Sequence, residues 1–138
     1  MLVGLVSGLA VNAAPFPRLM LTAHIQFLVN GMVSVFAGLL FWTGLAIVRR
    51  PAGLFIVGAR VSTWLVCLSE VAAAWWGARN ALPIAASLAA APGATSWQES
   101  LVLACHMIPA LLLIAAWALL VQGIYKALLQ FREDAGEP

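Results

Sequence analysis

The stretch from Pro17 to Trp42, PRLMLTAHIQFLVNGMVSVFAGLLFW, constrains the fold of this chain more than any other part of it. It is long and apolar enough to cross a bilayer as one helix, which takes about 20 residues. It also carries His24, Gln26 and Asn30, which lie close together in the sequence. An unsatisfied polar group in hydrocarbon costs several kcal/mol, so we expect these side chains to face protein, water or a bound group.

The composition predicts an integral membrane protein. The 138 residues are 64% hydrophobic and 9% charged, and the mean hydropathy is +1.01, whereas a soluble domain has about 25% charged residues. The net charge of +2 is small and the basic residues other than Arg60 lie near predicted helix ends, so nucleic-acid binding has no support. Cys67 and Cys105 lie in apolar runs, which favours buried thiols over a disulfide.

Hydropathy predicts an all-α polytopic membrane protein, a four-helix transmembrane bundle that forms one domain. The predicted spans are about 1–14, 21–48, 54–76 and 101–125, with an interfacial loop or lid at 77–100 and a polar tail at 126–138. We expect the first helix to be short or N-terminally truncated, and Gly4 and Gly8 within it permit close helix packing. Ser96 and Glu99 match a capping box before the fourth span.

Basic residues near the helix ends predict the orientation in the membrane. One side of a four-span bundle receives Arg49, Arg50, Lys126 and Arg132, and the other side receives Arg18 and Arg79. The larger group is expected on the cytoplasmic side, which places both termini in the cytoplasm. We expect the protein in a bacterial inner membrane, with His24 near the opposite face.

Four ionisable residues inside the predicted spans are functional candidates: His24, Arg60, Glu70 and His106. The sequence has no H-E-x-x-H, G-x-S-x-G or C-x-x-C motif and no phosphate-binding glycine loop. Proteolysis, hydrolysis and nucleotide chemistry therefore have no support. The surroundings of His106 favour packing or an interhelical hydrogen bond over a catalytic role.

Helical spacing separates the polar residues of the second span. His24 and Asn30 are about 120° apart around an ideal helix and about 9 Å apart along it. One small site cannot easily use both side chains from one helix. An oligomer in which one helix contributes to two neighbouring sites would use both.

Glu70 belongs to a stripe of small and polar residues on the third span, which predicts a face packed against protein. The stripe consists of Thr63, Cys67, Glu70 and Ala74. Arg60 lies about 15 Å from Glu70 along the helix, so the two cannot pair within one helix. Glu70 is either a catalytic acid or base, or a structural partner of a group on another helix or subunit.

The pattern P-R-x-x-L-x-A-H-x-x-x-x-x-N-G-M, from Pro17 to Met32, resembles the signature stretch of the hydroxylaminobenzene mutases and styrene oxide isomerases. Two further stretches are similar to the mutase branch, A-A-A-W-W-G at 72–77 and L-P-I-A-A at 82–86 followed by W-Q-E. The resemblance covers most of the chain, from about Leu5 to Tyr125. It implies a small four-helix membrane isomerase that forms a homotrimer with haem b between subunits.

The resemblance also implies roles for individual residues. His24 matches the axial ligand of the ferric haem iron, and Asn30 matches the residue that holds the substrate oxygen. Arg18, upstream of His24, is a second candidate haem-binding residue. The tyrosine and asparagine that styrene oxide isomerases carry on the third helix align near Glu70 and Val66, and neither is retained. This departure disfavours epoxide isomerisation.

These features predict a haem-b-dependent isomerase that acts as a Lewis acid on an N–O bond and converts an arylhydroxylamine to an aminophenol. The expected partners are a small aromatic substrate, the lipid bilayer and further copies of the chain. Three alternatives remain: an aryl epoxide isomerase that gives an aldehyde, a non-catalytic haem-binding membrane protein, and a structural helix bundle in which His24 is hydrogen-bonded in the interior.

Overall fold

The computed structural model describes residues 2–134, and between these limits the chain contains helices and no strands. The helices are α1 (Leu2–Leu9), α2 (Pro17–Trp42), α3 (Arg50–Trp76), α4 (Pro83–Leu88) and α5 (Ser96–Asp134), with one 3₁₀ turn at Val11–Ala13. Met1, at the start of the predicted first span, and residues 135–138 of the predicted tail lie outside the described residues. The prediction of an all-α fold is confirmed.

Three helices, α2, α3 and α5, are long and apolar enough to cross a membrane. Most of their large apolar side chains are exposed, as expected for surfaces that face lipid. The eight residues of α1 rise only about 12 Å and do not reach across a bilayer. The first predicted span is thus a short helix in the described part of the chain, and it packs on α2.

The second span ends at Trp42, so the predicted end at Val48 is wrong. Gly44 adopts a left-handed backbone conformation (φ 68°), which stops the helix. The chain then runs extended along α5, where Ile47 N–H donates to the carbonyl of Gly123 at 3.1 Å. A Cβ at Gly123 would lie 2.8 Å from Val48, so this close approach requires glycine.

Two helices begin earlier than predicted because proline occupies their first turn. α2 begins at Pro17 and α3 begins at Arg50, followed by Pro51. The first turn of a helix needs no backbone N–H donor, and the fixed φ of proline suits it. Pro51 therefore lies in the first turn of a helix.

The helix cap of α5 differs from the predicted Ser96–Glu99 box. Thr95 precedes the helix, and both its backbone N–H (3.0 Å) and its hydroxyl (2.7 Å) donate to Oε1 of Gln98. The box is therefore Thr95–Gln98. It extends α5 to Ser96, and the helix continues to Asp134, beyond both ends of the predicted span.

Glu99 stabilises the loop between α3 and α5 through hydrogen bonds. Its Oε1 accepts hydrogen bonds from the backbone N–H groups of Arg79 and Ala94, both at 3.0 Å. Its Oε2 accepts from the N–H groups of Asn80 at 2.9 Å and Arg79 at 3.2 Å. One carboxylate therefore joins the two ends of this loop, and α4 lies between them.

α3 occupies the middle of the bundle and packs against α2 on one side and α5 on the other. At one end of the bundle, Ala86 of α4 packs with Leu19, Met20 and Ala23 of α2. The loop 77–100 thus folds back over the bundle, as the lid interpretation predicted. At the other end, Ala46, Ile56, Ala59, Ala116 and Leu120 form a second core.

Candidate functional site

His24 points from α2 towards α1. Its Nδ1 lies 2.7 Å from the carbonyl oxygen of Gly4 and 3.4 Å from Oγ of Ser7. A carbonyl only accepts hydrogen bonds, so Nδ1 carries the hydrogen and Nε2 presents a lone pair. A Cβ at Gly8 would lie 2.8 Å from Cε1 of His24, so this glycine makes room for the imidazole. The two glycines of α1 thus orient and accommodate His24.

This arrangement fits an axial haem ligand. Metal-ligating histidines usually donate their second ring N–H to a carbonyl or carboxylate, which fixes the tautomer and the ring orientation. Nε2 of His24 makes no hydrogen bond to another described residue, and the side chain is half-buried. Within residues 2–134 no group of three or more His, Cys, Asp or Glu side chains is arranged to hold a metal ion.

Arg18 is exposed on the first turns of α2, on the rim of a cavity of about 420 Å³ between α2 and α4. The cavity is lined by Leu21, Thr22, Ile25, Ala81, Leu82, Pro83, Ile84, Ala85 and Leu88 in addition to Arg18. Its wall is almost wholly apolar, with one cation at the edge. Arg18 lies about 9 Å from His24 along the helix, and no hydrogen bond joins the two residues in the described part of the chain.

Asn30 points from α2 towards α3, away from α1. Its Nδ2 donates to the carbonyl of Thr63 at 3.2 Å and to Sγ of Cys67 at 3.0 Å. Its Oδ1 accepts from a guanidinium nitrogen of Arg60 at 3.2 Å. His24 and Asn30 therefore contact different helices, which confirms the angular separation predicted from their spacing.

Arg60 binds α2 and does not pair with Glu70. One guanidinium nitrogen donates to the backbone carbonyl of Asn30 at 2.8 Å and to Oγ of Ser34 at 3.0 Å, as well as to the Asn30 side chain. Nε of Arg60 is buried and has no hydrogen-bond partner among residues 2–134. Arg60 thereby holds the amide of Asn30 with its oxygen towards the guanidinium and its nitrogen towards Thr63 and Cys67.

Glu70 meets His106 across the α3–α5 interface. Oε1 of Glu70 lies 3.3 Å from Nε2 of His106. Oε2 of Glu70 is buried and has no partner within residues 2–134. The stripe to which Glu70 belongs is buried throughout, so the predicted protein-facing side of α3 is confirmed. Glu70 is thus a buried carboxyl group with one oxygen in contact with His106 and one oxygen without a hydrogen-bond partner among the described residues.

The interhelical hydrogen bond expected for His106 is confirmed, but the sequence did not identify Glu70 as its partner. Nδ1 of His106 lies 2.9 Å from the carbonyl of Val102 and 3.2 Å from Oγ of Ser69. Nothing in the spacing of either helix marks this pairing, because it depends on how α3 and α5 pack. The sequence shows two ionisable residues in separate predicted spans, but it does not show that they meet.

The fold and these interfaces define a polytopic helical membrane protein that holds ionisable side chains between its helices. A family model described as styrene oxide isomerase matches residues 1–125. The chain belongs to the styrene oxide isomerase family, in agreement with the resemblance of the Pro17–Met32 stretch. Membership of this family supports an isomerase in a membrane. No curated protein and no solved structure matches the chain.

Proposed function

We propose that this protein is a haem-b-dependent membrane isomerase that converts an arylhydroxylamine into an aminophenol. The observation that carries the choice of reaction is Glu70, a buried carboxyl group with one oxygen that has no partner within residues 2–134. Formation of an aminophenol removes a hydrogen from a ring carbon, and this requires a base. A buried carboxylate beside an imidazole suits that step.

His24 is the proposed haem ligand, through Nε2. The support is the hydrogen bond from Nδ1 to the Gly4 carbonyl and the space left by Gly8. Arg18 is the proposed partner of the negatively charged haem side chains, since it is an exposed cation beside an apolar cavity. When bound, ferric haem would supply a Lewis acid that makes a hydroxyl oxygen a better leaving group.

Asn30 is the proposed donor to the substrate oxygen. Both hydrogens of its amide nitrogen are in use, one towards Thr63 and one towards Cys67. A thiol is a weak acceptor, so an incoming oxygen would displace Sγ of Cys67 at little cost. Arg60 keeps the amide in the orientation that this exchange requires.

We propose a homotrimer in a bacterial inner membrane, with both termini in the cytoplasm. The divergent directions of His24 and Asn30 support an assembly in which one α2 serves two sites. The orientation is supported by the grouping of cations, since Arg49 and Lys126 line one recess at one end of the bundle. Arg18 lies beside Ala81 in the cavity at the opposite end.

An aryl epoxide isomerase is the second candidate, because the matching family model carries that description. Opening an epoxide and shifting a hydride to the neighbouring carbon gives an aldehyde, and no proton has to be removed. Glu70 would then have no chemical task. The two reactions therefore differ in whether they need this carboxyl group.

The protein purified in detergent should show a Soret absorption band, and His24→Ala should abolish haem retention. His106→Ala is the matched control, and it should retain the haem. Haem retained by His24→Ala but lost from His106→Ala would move the ligand to His106, and no Soret band in the wild type would refute the haem enzyme.

Substrate tests then separate the two reactions. The wild-type protein incubated with phenylhydroxylamine should form aminophenol, detected by chromatography. Incubation with styrene oxide should give little phenylacetaldehyde. The opposite result would assign the protein to epoxide isomerisation, and neither product from the haem-loaded protein would leave a haem-binding protein without isomerase activity on these compounds.

A further inference from the structure

The tautomer of His106 follows from its contacts. Nδ1 faces the carbonyl oxygen of Val102 at 2.9 Å, and a carbonyl only accepts. Oγ of Ser69 also lies near Nδ1, at 3.2 Å, and its own hydrogen is donated to the carbonyl of Val66 at 2.8 Å. Both neighbours are therefore acceptors for the same nitrogen. Nδ1 of His106 carries a hydrogen in either charge state of the ring.

Since Nδ1 already carries a hydrogen, a hydrogen bond between Nε2 of His106 and Oε1 of Glu70 requires one further proton between these two atoms. A neutral imidazole would present a lone pair at Nε2, and an ionised carboxylate has only lone pairs, so the two would repel. Either Glu70 is protonated and donates to Nε2, or the imidazolium donates to Oε1. Both arrangements carry no net charge, which suits a position inside the membrane where an isolated charge is costly.

No second cation neutralises Glu70 within the described chain. On its own helix, the nearest titratable side chain is Cys67, one turn away, which binds Asn30. Arg60, further along α3, is bound to α2 and makes no contact with Glu70. From α5, the group that faces Glu70 is His106. An ionised Glu70 therefore depends on His106 as its counter-ion.

We propose that His106 is a positioning residue that holds the shared proton as an imidazolium and thereby keeps Glu70 ionised, with Oε2 as the free base. This inference rests on the proposed arylhydroxylamine reaction for its chemical use. The geometry assigns a separate role to each carboxylate oxygen. Oε1 contacts the counter-ion, and Oε2, which has no partner in the described part of the chain, is the oxygen that can take up and return a proton.

The proton balance of the reaction fits this assignment. The N–O bond breaks and its electron pair leaves with the oxygen, which then forms a C–O bond at the ring. The product of that step is a ring imine with one hydrogen too many on carbon. Oε2 of Glu70 takes this proton, the C–H electron pair restores the aromatic ring, and the imine nitrogen receives the proton from Oε2. The pair returns to its starting state, and no oxidant or reductant is required.

The first test uses the resting holoprotein without substrate, so it does not depend on the reaction. The infrared difference between wild type and Glu70→Gln should contain no band of a protonated carboxylic acid, because Glu70 is ionised. In His106→Gln, an acid carbonyl band should appear, and the double variant with Glu70→Gln should lose it. A protonated Glu70 in the wild type, or no new band in a folded His106→Gln, would overturn the inference.

The second test is kinetic and uses phenylhydroxylamine deuterated at every ring carbon that carries a hydrogen, so that the label lies on the carbon that loses its proton. His106→Gln should lower kcat at least tenfold with little change in KM, and should raise the isotope effect on kcat because ring-proton removal becomes rate-limiting. Cys105→Ala, the adjacent position on α5, is the control and should keep both values. Full kcat and an unchanged isotope effect in His106→Gln would refute the role of His106. If the wild type forms no aminophenol, the proposed function fails, and the infrared result still decides the charge state of the pair.

Discussion

Within residues 2–134, two glutamates are buried in the bundle, and their surroundings differ. Glu99, at the start of α5, is 7% exposed, and Glu70, inside α3, is 4% exposed. Both oxygens of Glu99 accept hydrogen bonds from backbone N–H groups of the loop between α3 and α5. Glu70 has one imidazole at Oε1, and no partner at Oε2 within residues 2–134.

The difference separates a structural carboxylate from one that we propose to be reactive. Fixed backbone donors satisfy Glu99 completely, so its interactions stabilise the loop and leave no lone pair available for chemistry. Leaving a buried polar atom unpaired costs about 1–3 kcal/mol, and such an atom calls for an explanation such as a catalytic role or a bound group. Glu70 carries that cost, and the proposed proton transfer accounts for it.

The largest expected effect on stability is that of Glu99→Ala. The substitution removes the acceptor of three backbone N–H groups, and we expect a loss of about 3 kcal/mol in the free energy of unfolding. Thermal unfolding in detergent should show a lower Tm, with faster proteolysis in the loop between α3 and α5. Glu133→Ala, at an exposed position of α5, is the control. A wild-type Tm for Glu99→Ala would mean that the loop is held by other contacts.

Glu70→Gln should have the opposite effect to Glu99→Ala, because it should lower activity and leave stability nearly unchanged. A glutamine keeps an oxygen that can accept a hydrogen bond from Nε2 of His106 but cannot act as a base, so turnover of phenylhydroxylamine should fall at least about tenfold. The haem spectrum and the Tm should stay close to those of the wild type. If Glu70→Gln is fully active, both glutamates are structural and the contrast between them disappears.

The class of fold could be predicted from the sequence, because hydropathy and helical periodicity act locally. The polar stripe on α3 and the different directions of His24 and Asn30 also follow from the geometry of a single helix. The residues at which the helices begin and end were predicted less accurately. The end at Trp42 depends on Gly44 and on the packing of the next residues against Gly123, which lies in a distant part of the sequence.

The pairing of Glu70 with His106 could not be predicted, for a related reason. The two residues lie on different helices, and which faces meet is decided by the packing of α3 on α5. The periodicity of one helix shows that a residue is buried, but it does not identify the partner. The role of Glu99 was missed because two overlapping patterns, Thr95–Gln98 and Ser96–Glu99, both match a capping box.

The smallest expected effect, that of Gln98→Ala, separates the helix cap from the loop contacts of Glu99. The substitution removes the acceptor for the backbone N–H and hydroxyl of Thr95, and loss of one cap costs about 1 kcal/mol. The Tm should therefore fall by less than in Glu99→Ala, and Gln130→Ala, exposed near the end of α5, should leave it unchanged. Equal losses in Gln98→Ala and Glu99→Ala would show that cap and loop unfold together. A smaller loss in Gln98→Ala would show that Glu99 stabilises the loop in addition to the helix start, which is the structural role that distinguishes it from Glu70.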